Sequence, residues 1–149
     1  MSTAMSALSQ CHDPGILLVL ARPTLPRYLT DFHDWYDTEH GPARLKLGDD
    51  YFSNGYRYKS KAKDTTWLAI YEMKRLSAGI DHAYTSLRER RSLREQEIFR
   101  NKLIVLSRQF LRLQATSGSS AAPPARLCCV SFCVDNYAAE AVDPWYSKV

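Results

Sequence analysis

Phe32, Trp35, Tyr36, Glu39 and His40 stand at i, i+3, i+4, i+7 and i+8, the spacing of one stripe along a helix. The stripe opens on large rings and closes on a carboxylate and an imidazole, where a purely structural helix would carry Leu or Val. Apolar walls with a few orienting polar groups are the furnishing of a small-molecule site. His40 is therefore a candidate general acid or base, the alternative being a structural histidine donating to a nearby carbonyl. Gly41-Pro42 follows directly. Proline disfavours the α conformation before it and lacks a donor, so the helix is expected to end or kink at His40. A helix C-terminus would raise the pKa of that imidazole and burial against rings would lower it. The sequence leaves that balance open, and marks His40 as the residue expected to titrate near neutrality.

Tyr36, Tyr58 and Tyr71 are candidates to hydrogen-bond a developing oxyanion, although each also reads as a core ring whose hydroxyl reaches the surface. Phe32, Trp35 and Trp67 read as packing or as flat walls for an aromatic ligand. Asn54 and Arg57 fall on opposite faces of one strand, so at most one should face a pocket. Arg57 has the planar fork that holds a carboxylate, and a surface role suits it equally. Glu39 could orient or charge His40, but adjacent helix positions point about 100° apart, which favours an outward salt bridge. His33 lies off the stripe and is expected to be exposed, while His82 reads as a cap neighbour at a later helix start.

The chain has 149 residues, enough for one domain with a core, and a formal charge of +4. That balance, with basic residues unclustered, argues against nucleic acid as a partner. The charge run from Arg88 to Arg100 alternates Arg with Glu and reads as a solvated helix face. Cys11, Cys128, Cys129 and Cys133 lack paired metal-ligand spacing, so no metal is expected. No phosphate loop or nucleophile elbow appears, and no cofactor is implied. No signal sequence and no apolar run of membrane-spanning length is seen, so a soluble, reducing, cytoplasmic setting without a membrane partner is expected.

The elements that must position these residues can be read in order. Residues 1–14 form a Ser/Ala-rich leader, and Gly15 to Ala21 is a short apolar strand. Pro23 and Pro26 break it, and the helix opens near Thr30 or Asp31, either of which can cap it. Phe52, Tyr56 and Tyr58 alternate with small or basic residues, predicting a strand with one ring-rich face. Lys63-Asp64-Thr65 makes a turn, and Trp67 to Met73 is the antiparallel partner strand. Residues 81 to about 103 read as one helix, with Leu87, Arg91, Arg94 and Ile98 near helical spacing. Residues 104–113 either extend it or form a strand, and returning β-branched and aromatic residues favour the strand.

The order strand, helix, strand, strand, helix, strand is the α+β split βαβ, or ferredoxin-like, arrangement, with both helices on one face of an antiparallel sheet. The other face needs cover, and pairing of two sheets in a homodimer is the simplest solution. A linker over 116–125 precedes a second apolar run, and Trp145-Tyr146 follows Leu127 at the separation at which Trp35-Tyr36 follows Leu17. Residues 15–115 thus read as one unit and 126–149 as the beginning of another, against the alternative of an unrelated strand and a chance Trp-Tyr.

The stretch from Phe32 to Leu45, with Gly55-Tyr56-Arg57-Tyr58, Trp67 to Tyr71 and Tyr84 to Arg88, resembles EthD-type proteins of the dimeric α/β-barrel superfamily. The likeness covers about residues 15–113 and is closest to a fungal group with tandem units. It implies sheets paired into a barrel and a pocket between sheet and helices, with His40 near the mouth. It further implies secondary metabolism: a polyketide-type cyclase, dehydratase or decarboxylase without a cofactor, acting on a small aromatic or polyketone substrate. The alternatives are a cofactor-independent monooxygenase and a non-catalytic binding or assembly protein.

Overall fold

The computed structural model describes residues 11–61 and 65–114. Most of the leader, part of the 63–65 turn, Cys128, Cys129, Cys133, the linker and the second apolar run lie outside the described residues. The chain divides after Arg112, and the unit ending there carries the sheet and its helices.

β1 (Gly15–Pro23) is the strand about which the sheet is built. Its continuous apolar run suits a central position, since neighbours cover both its edges. It pairs antiparallel with β3 (Trp67–Met73) on one side and β4 (Leu103–Arg112) on the other, and β2 (Asn54–Lys59) pairs antiparallel with β3. The resulting order, β2-β3-β1-β4, is that of a ferredoxin-like fold. The strand expected over 104–113 does form, as Leu103–Arg112, and its β-branched and aromatic side chains fit the pleat.

Period-two alternation sorts the sheet into two faces. Leu17, Val19 and Ala21 of β1 lie beside Tyr71 and Ala69 of β3 on the face that carries the helices. Leu17, Ala69, Tyr71 and Met73 pack there with Phe52, Leu76 and Tyr84. Phe52 and Leu17, each 1% exposed, anchor this cluster, and Trp35, also 1% exposed, anchors a second one with Phe32 and Ile98; burial of a side chain such as Leu or Phe is worth about 1.5–3 kcal/mol. Gly15 permits the closest backbone approach, because a Cβ there would lie 2.2 Å from the Leu111 carbonyl oxygen.

A β-bulge interrupts the β1–β4 pairing. Leu20 opposes Ser107 but Ala21 opposes Val105, so Leu106 is the extra residue. Its insertion switches the parity of β4. Phe110 and Arg108 on one side of the bulge, and Val105 and Leu103 on the other, thereby all serve the helix-covered face.

The first helical segment runs on where an ending is expected. α1 (Leu29–Trp35) passes through a π turn (Tyr36–His40) into α2 (Gly41–Leu45) without a break. The Gly41 N–H donates to the Tyr36 carbonyl, one residue beyond the α partner. Pro42 explains the wide turn: it has no N–H to give, and its ring would crowd the carbonyl four residues back. The helix therefore widens instead of stopping.

The second helix expected over 81–103 is in fact divided. α3 (His82–Thr85) continues into a 3-10 turn at Ser86–Arg88, and α4 (Leu93–Glu97) starts afresh before a π turn at Ile98–Lys102. Ser92 caps α4, its Oγ accepting the Glu95 N–H at 3.0 Å. A strong N-cap inside an apparently helical pattern marks a new start.

The opposite sheet face carries Leu18 beside Ile70 and Leu20 beside Leu68, with Tyr56 and Tyr58 next in line on β2. These side chains are half-buried, and no helix among the described residues covers them. Nor is any helix among those residues long and apolar enough to cross a membrane.

Candidate functional site

α1, the π turn, α3, α4 and the inner sheet face enclose a cavity of about 600 Å³, within the range of small-molecule sites. Its floor is Leu17, Val19 and Ala21, and its ring wall is Phe32, Trp35, Tyr36 and Phe99. His40 lines it too and is only 8% exposed. The imidazole packs 4.4 Å from the Trp35 ring, 5.0 Å from Tyr36 and 5.7 Å from Phe99, between centroids.

The polar partner of His40 is Glu95. His40 Nδ1 lies 2.8 Å from Glu95 Oε1, a bond that joins the π turn to α4. Burial pushes the imidazole pKa down to about 4, against the opposing pull of the Glu95 hydrogen bond, with Arg44 lowering it further. The expectation of titration near neutrality is thus corrected: desolvation wins, and His40 is neutral at pH 7. Burial also pushes the Glu95 carboxyl up, but the His40 hydrogen bond and the Arg44 and Arg91 charges outweigh it and hold it below its ordinary value. The pair at neutral pH is accordingly a carboxylate accepting from Nδ1–H of a neutral ring. That tautomer leaves Nε2 with a lone pair, in a side chain that borders the cavity.

Tyr36 and Tyr71 form a second pair. Their hydroxyls share a short hydrogen bond, and burial first, then their mutual contact in the case of Tyr36, raises the pKa of both. Both therefore stay protonated, and one O–H remains for an outside acceptor. Tyr36 borders the main cavity and also a smaller one of about 260 Å³, which Tyr71 and Arg57 help to line.

Other expected residues fall elsewhere. Tyr58 pairs with Leu68 on the sheet face away from the helices, so it does not join His40 and Tyr36. The ring-rich face of β2 is the uncovered one, and the face towards the helices carries Gly55 and Arg57. Asn54, also on the uncovered side, donates to Glu72 at 2.7 Å. Arg57 is on the helix side but already engaged, 2.7 Å from Asp37 and 4.4 Å from the Tyr36 ring centroid. Trp67 packs edge-on against His33 at 4.5 Å and lines neither cavity. His33 is half-buried between Trp67 and Arg57 instead of exposed, and burial followed by the Arg57 charge lowers its pKa. Glu39 turns outward to Ser92 and Arg94, at 2.6 and 3.2 Å. His82 is exposed at the start of α3.

Residues with little local signal of their own also form the site. Glu95 sits in Ser92-Leu93-Arg94-Glu95, the spacing of a capping box, and this was its one available signal. Its side chain reaches across to His40 instead of back to the cap. The charge run from Arg88 is not simply a solvated face either, because Arg88, Arg90, Arg91 and Glu95 all border the cavity. Among the described residues, no group of three or more His, Cys, Asp or Glu could hold a metal ion.

No protein-family model matches the chain, so the EthD resemblance has no support at the family level, and no curated protein matches it. Among solved structures, the crystal structure of HapK from Hahella chejuensis is similar at 13% identity and a TM-score of 0.49, over 72% of this chain and 98% of that one. The ferredoxin-like assignment stands on the strand order and on the helices lying on one face.

Proposed function

We propose that this protein is an acid/base enzyme of the polyketide-cyclase, dehydratase or decarboxylase type, working without a cofactor on a planar aromatic or polyketone substrate. The observation that carries this reading is the His40–Glu95 hydrogen bond on the wall of a ring-lined cavity. In the reading, His40 Nε2 takes a proton from a carbon of the substrate and Glu95 stabilises the imidazolium. Tyr36 hydrogen-bonds the enolate oxygen as charge develops there. The enolate carbon then closes onto a second carbonyl of the same molecule, and the resulting alkoxide recovers the proton from His40. The weak basicity of His40 limits the substrate to acidic C–H groups, such as a carbon between two carbonyls, since each mismatched pKa unit adds about 1.4 kcal/mol.

The reading includes a homodimer, supported by the half-buried Leu18, Leu20, Leu68, Ile70, Tyr56 and Tyr58 on the uncovered sheet face. An apolar surface of this kind gains by pairing with its own copy.

The experiment compares wild type with His40→Gln on synthetic polyketone and anthrone-type substrates, with products identified by mass spectrometry. Wild type should form a cyclised, dehydrated or decarboxylated product, and His40→Gln should lose about 10²–10⁴-fold in kcat. Equal turnover by the two proteins would remove His40 from the chemistry. Oxygen uptake matching product would instead identify an oxygenase.

A further inference from the structure

Arg44, Arg88, Arg90, Arg91 and Arg108 all border the main cavity, and Glu95 is the one carboxylate among the residues lining it. Such an excess of one sign around a concave, partly apolar space is unusual, because guanidiniums are ordinarily paired or solvated. Several of these groups are held in place by neutral acceptors, which leaves Glu95 as the one carboxylate of the lining to balance them. Arg44 donates to the His40 carbonyl at 2.8 Å, Arg90 to Ser86 Oγ at 2.9 Å and Arg108 to the Tyr84 hydroxyl at 2.7 Å. Arg91 lies 3.9 Å over the Phe99 ring and touches Glu95 only at 3.9 Å. Arg88 has no ion-pair partner among the described residues. Arg44 and Arg91 stand at the His40 end of the cavity, the first bonded to the His40 carbonyl and the second beside the Glu95 carboxylate that His40 contacts, and Arg88, three residues before Arg91, borders the same space.

We infer that the cavity binds an organic anion, an aromatic or polyketone acid whose carboxylate or equivalent oxyanion is held by Arg88, Arg91 and Arg44 while its planar body lies against Phe32, Trp35 and Phe99. This rests on the reading that the cavity is the substrate site, and it names the substrate class. Guanidiniums match carboxylates in shape as well as charge, and the fixed ones need no rearrangement on binding. The anion would also relieve repulsion among like charges that the free protein leaves standing. An acidic head at this end of the cavity puts the substrate's oxygen-rich portion beside His40.

The test is titration of the full-length protein with a matched pair, 2-naphthoate and the neutral 2-naphthylmethanol, followed by calorimetry. Naphthoate should bind about tenfold or more tightly than the alcohol, with the gap narrowing at high salt. Arg88→Glu replaces an exposed side chain with no partner among the described residues. It should cut naphthoate affinity by about tenfold and leave the alcohol within about twofold. Equal binding of the two probes, failure of both to bind, or an unchanged ratio in Arg88→Glu each overturns the inference. His40→Gln separates the inference from the proposed chemistry. Naphthoate binding preserved in that variant supports the anion site whether or not turnover survives, and naphthoate binding lost in it overturns the arginine assignment.

Discussion

His40 and Glu95 come from helical segments 55 residues apart in sequence, and their side chains meet at 2.8 Å between Nδ1 and Oε1. That single contact sets the tautomer of the imidazole and decides which nitrogen is left to act. It also ties the π turn of the first helical segment to the first turn of α4.

Glu95→Gln should therefore separate orientation from packing. The amide is nearly isosteric but can donate to Nδ1, which would move the ring proton to Nε2 and remove the base. A fall in kcat of about 10²-fold or more is expected. The acid limb of the pH–rate profile should move lower still, because the hydrogen bond that opposes desolvation is gone. A purely structural Glu95 would alter stability and leave the limb in place.

Stability should depend on pH through His40 in a definite direction. Its folded pKa of about 4 lies below the unfolded 6.5, so the unfolded chain binds the extra proton first. The contribution is complete above pH 6.5 and is lost as pH falls towards about 4, amounting to about 3 kcal/mol over that window. His33, also lowered, acts in the same sense. Glu95, raised by burial but held below its ordinary 4.5 chiefly by the His40 hydrogen bond, also acts in the same sense, its contribution being lost as pH falls below that value. Urea midpoints measured between pH 7.5 and 4.5 should decline in wild type and decline less in His40→Gln. Parallel curves for the two proteins would contradict the assignment of a buried neutral ring.

The uncovered sheet face makes a prediction about mass. Light scattering should report a dimer for wild type, and Leu18→Lys, placed mid-face beside Ile70, should yield a monomer with an unchanged circular dichroism spectrum. A monomeric wild type would show that something other than a second copy meets that surface.

Gly15→Ala tests the start of β1. The added methyl would sit 2.2 Å from the Leu111 carbonyl oxygen and 2.7 Å from Leu76 Cδ2, so backbone must move. A loss of about 1–3 kcal/mol or more in chemical denaturation is expected. An unaffected midpoint would mean that the β1–β4 pairing at this end is looser than described.

Much of the architecture could be read from local pattern, because strand alternation and the apolar run at Gly15–Ala21 depend on near neighbours. The order of elements and the ring wall of Phe32, Trp35 and Tyr36 were legible for this reason. What pattern could not say is which face of a strand is covered, and so Tyr58 was expected in a pocket that it faces away from. Periodicity also hid the break before Ser92, since Leu87, Arg91, Arg94 and Ile98 fit one helix as well as two. Glu95 was missed because its partner is remote, and no local spacing reports a bond across the fold. The fate of His40 was open for a related reason. Its pKa depends on how completely three rings exclude water, a property of the assembled packing.

The coil between Tyr36 and His40 holds one residue more than an ordinary turn, and Pro42 is what keeps the surplus there. If that coil lost a residue and rewound to α geometry, everything beyond it would rotate by about 100° around the axis. The imidazole would then leave its place among Trp35, Tyr36 and Phe99, and its bond to Glu95 would go with it.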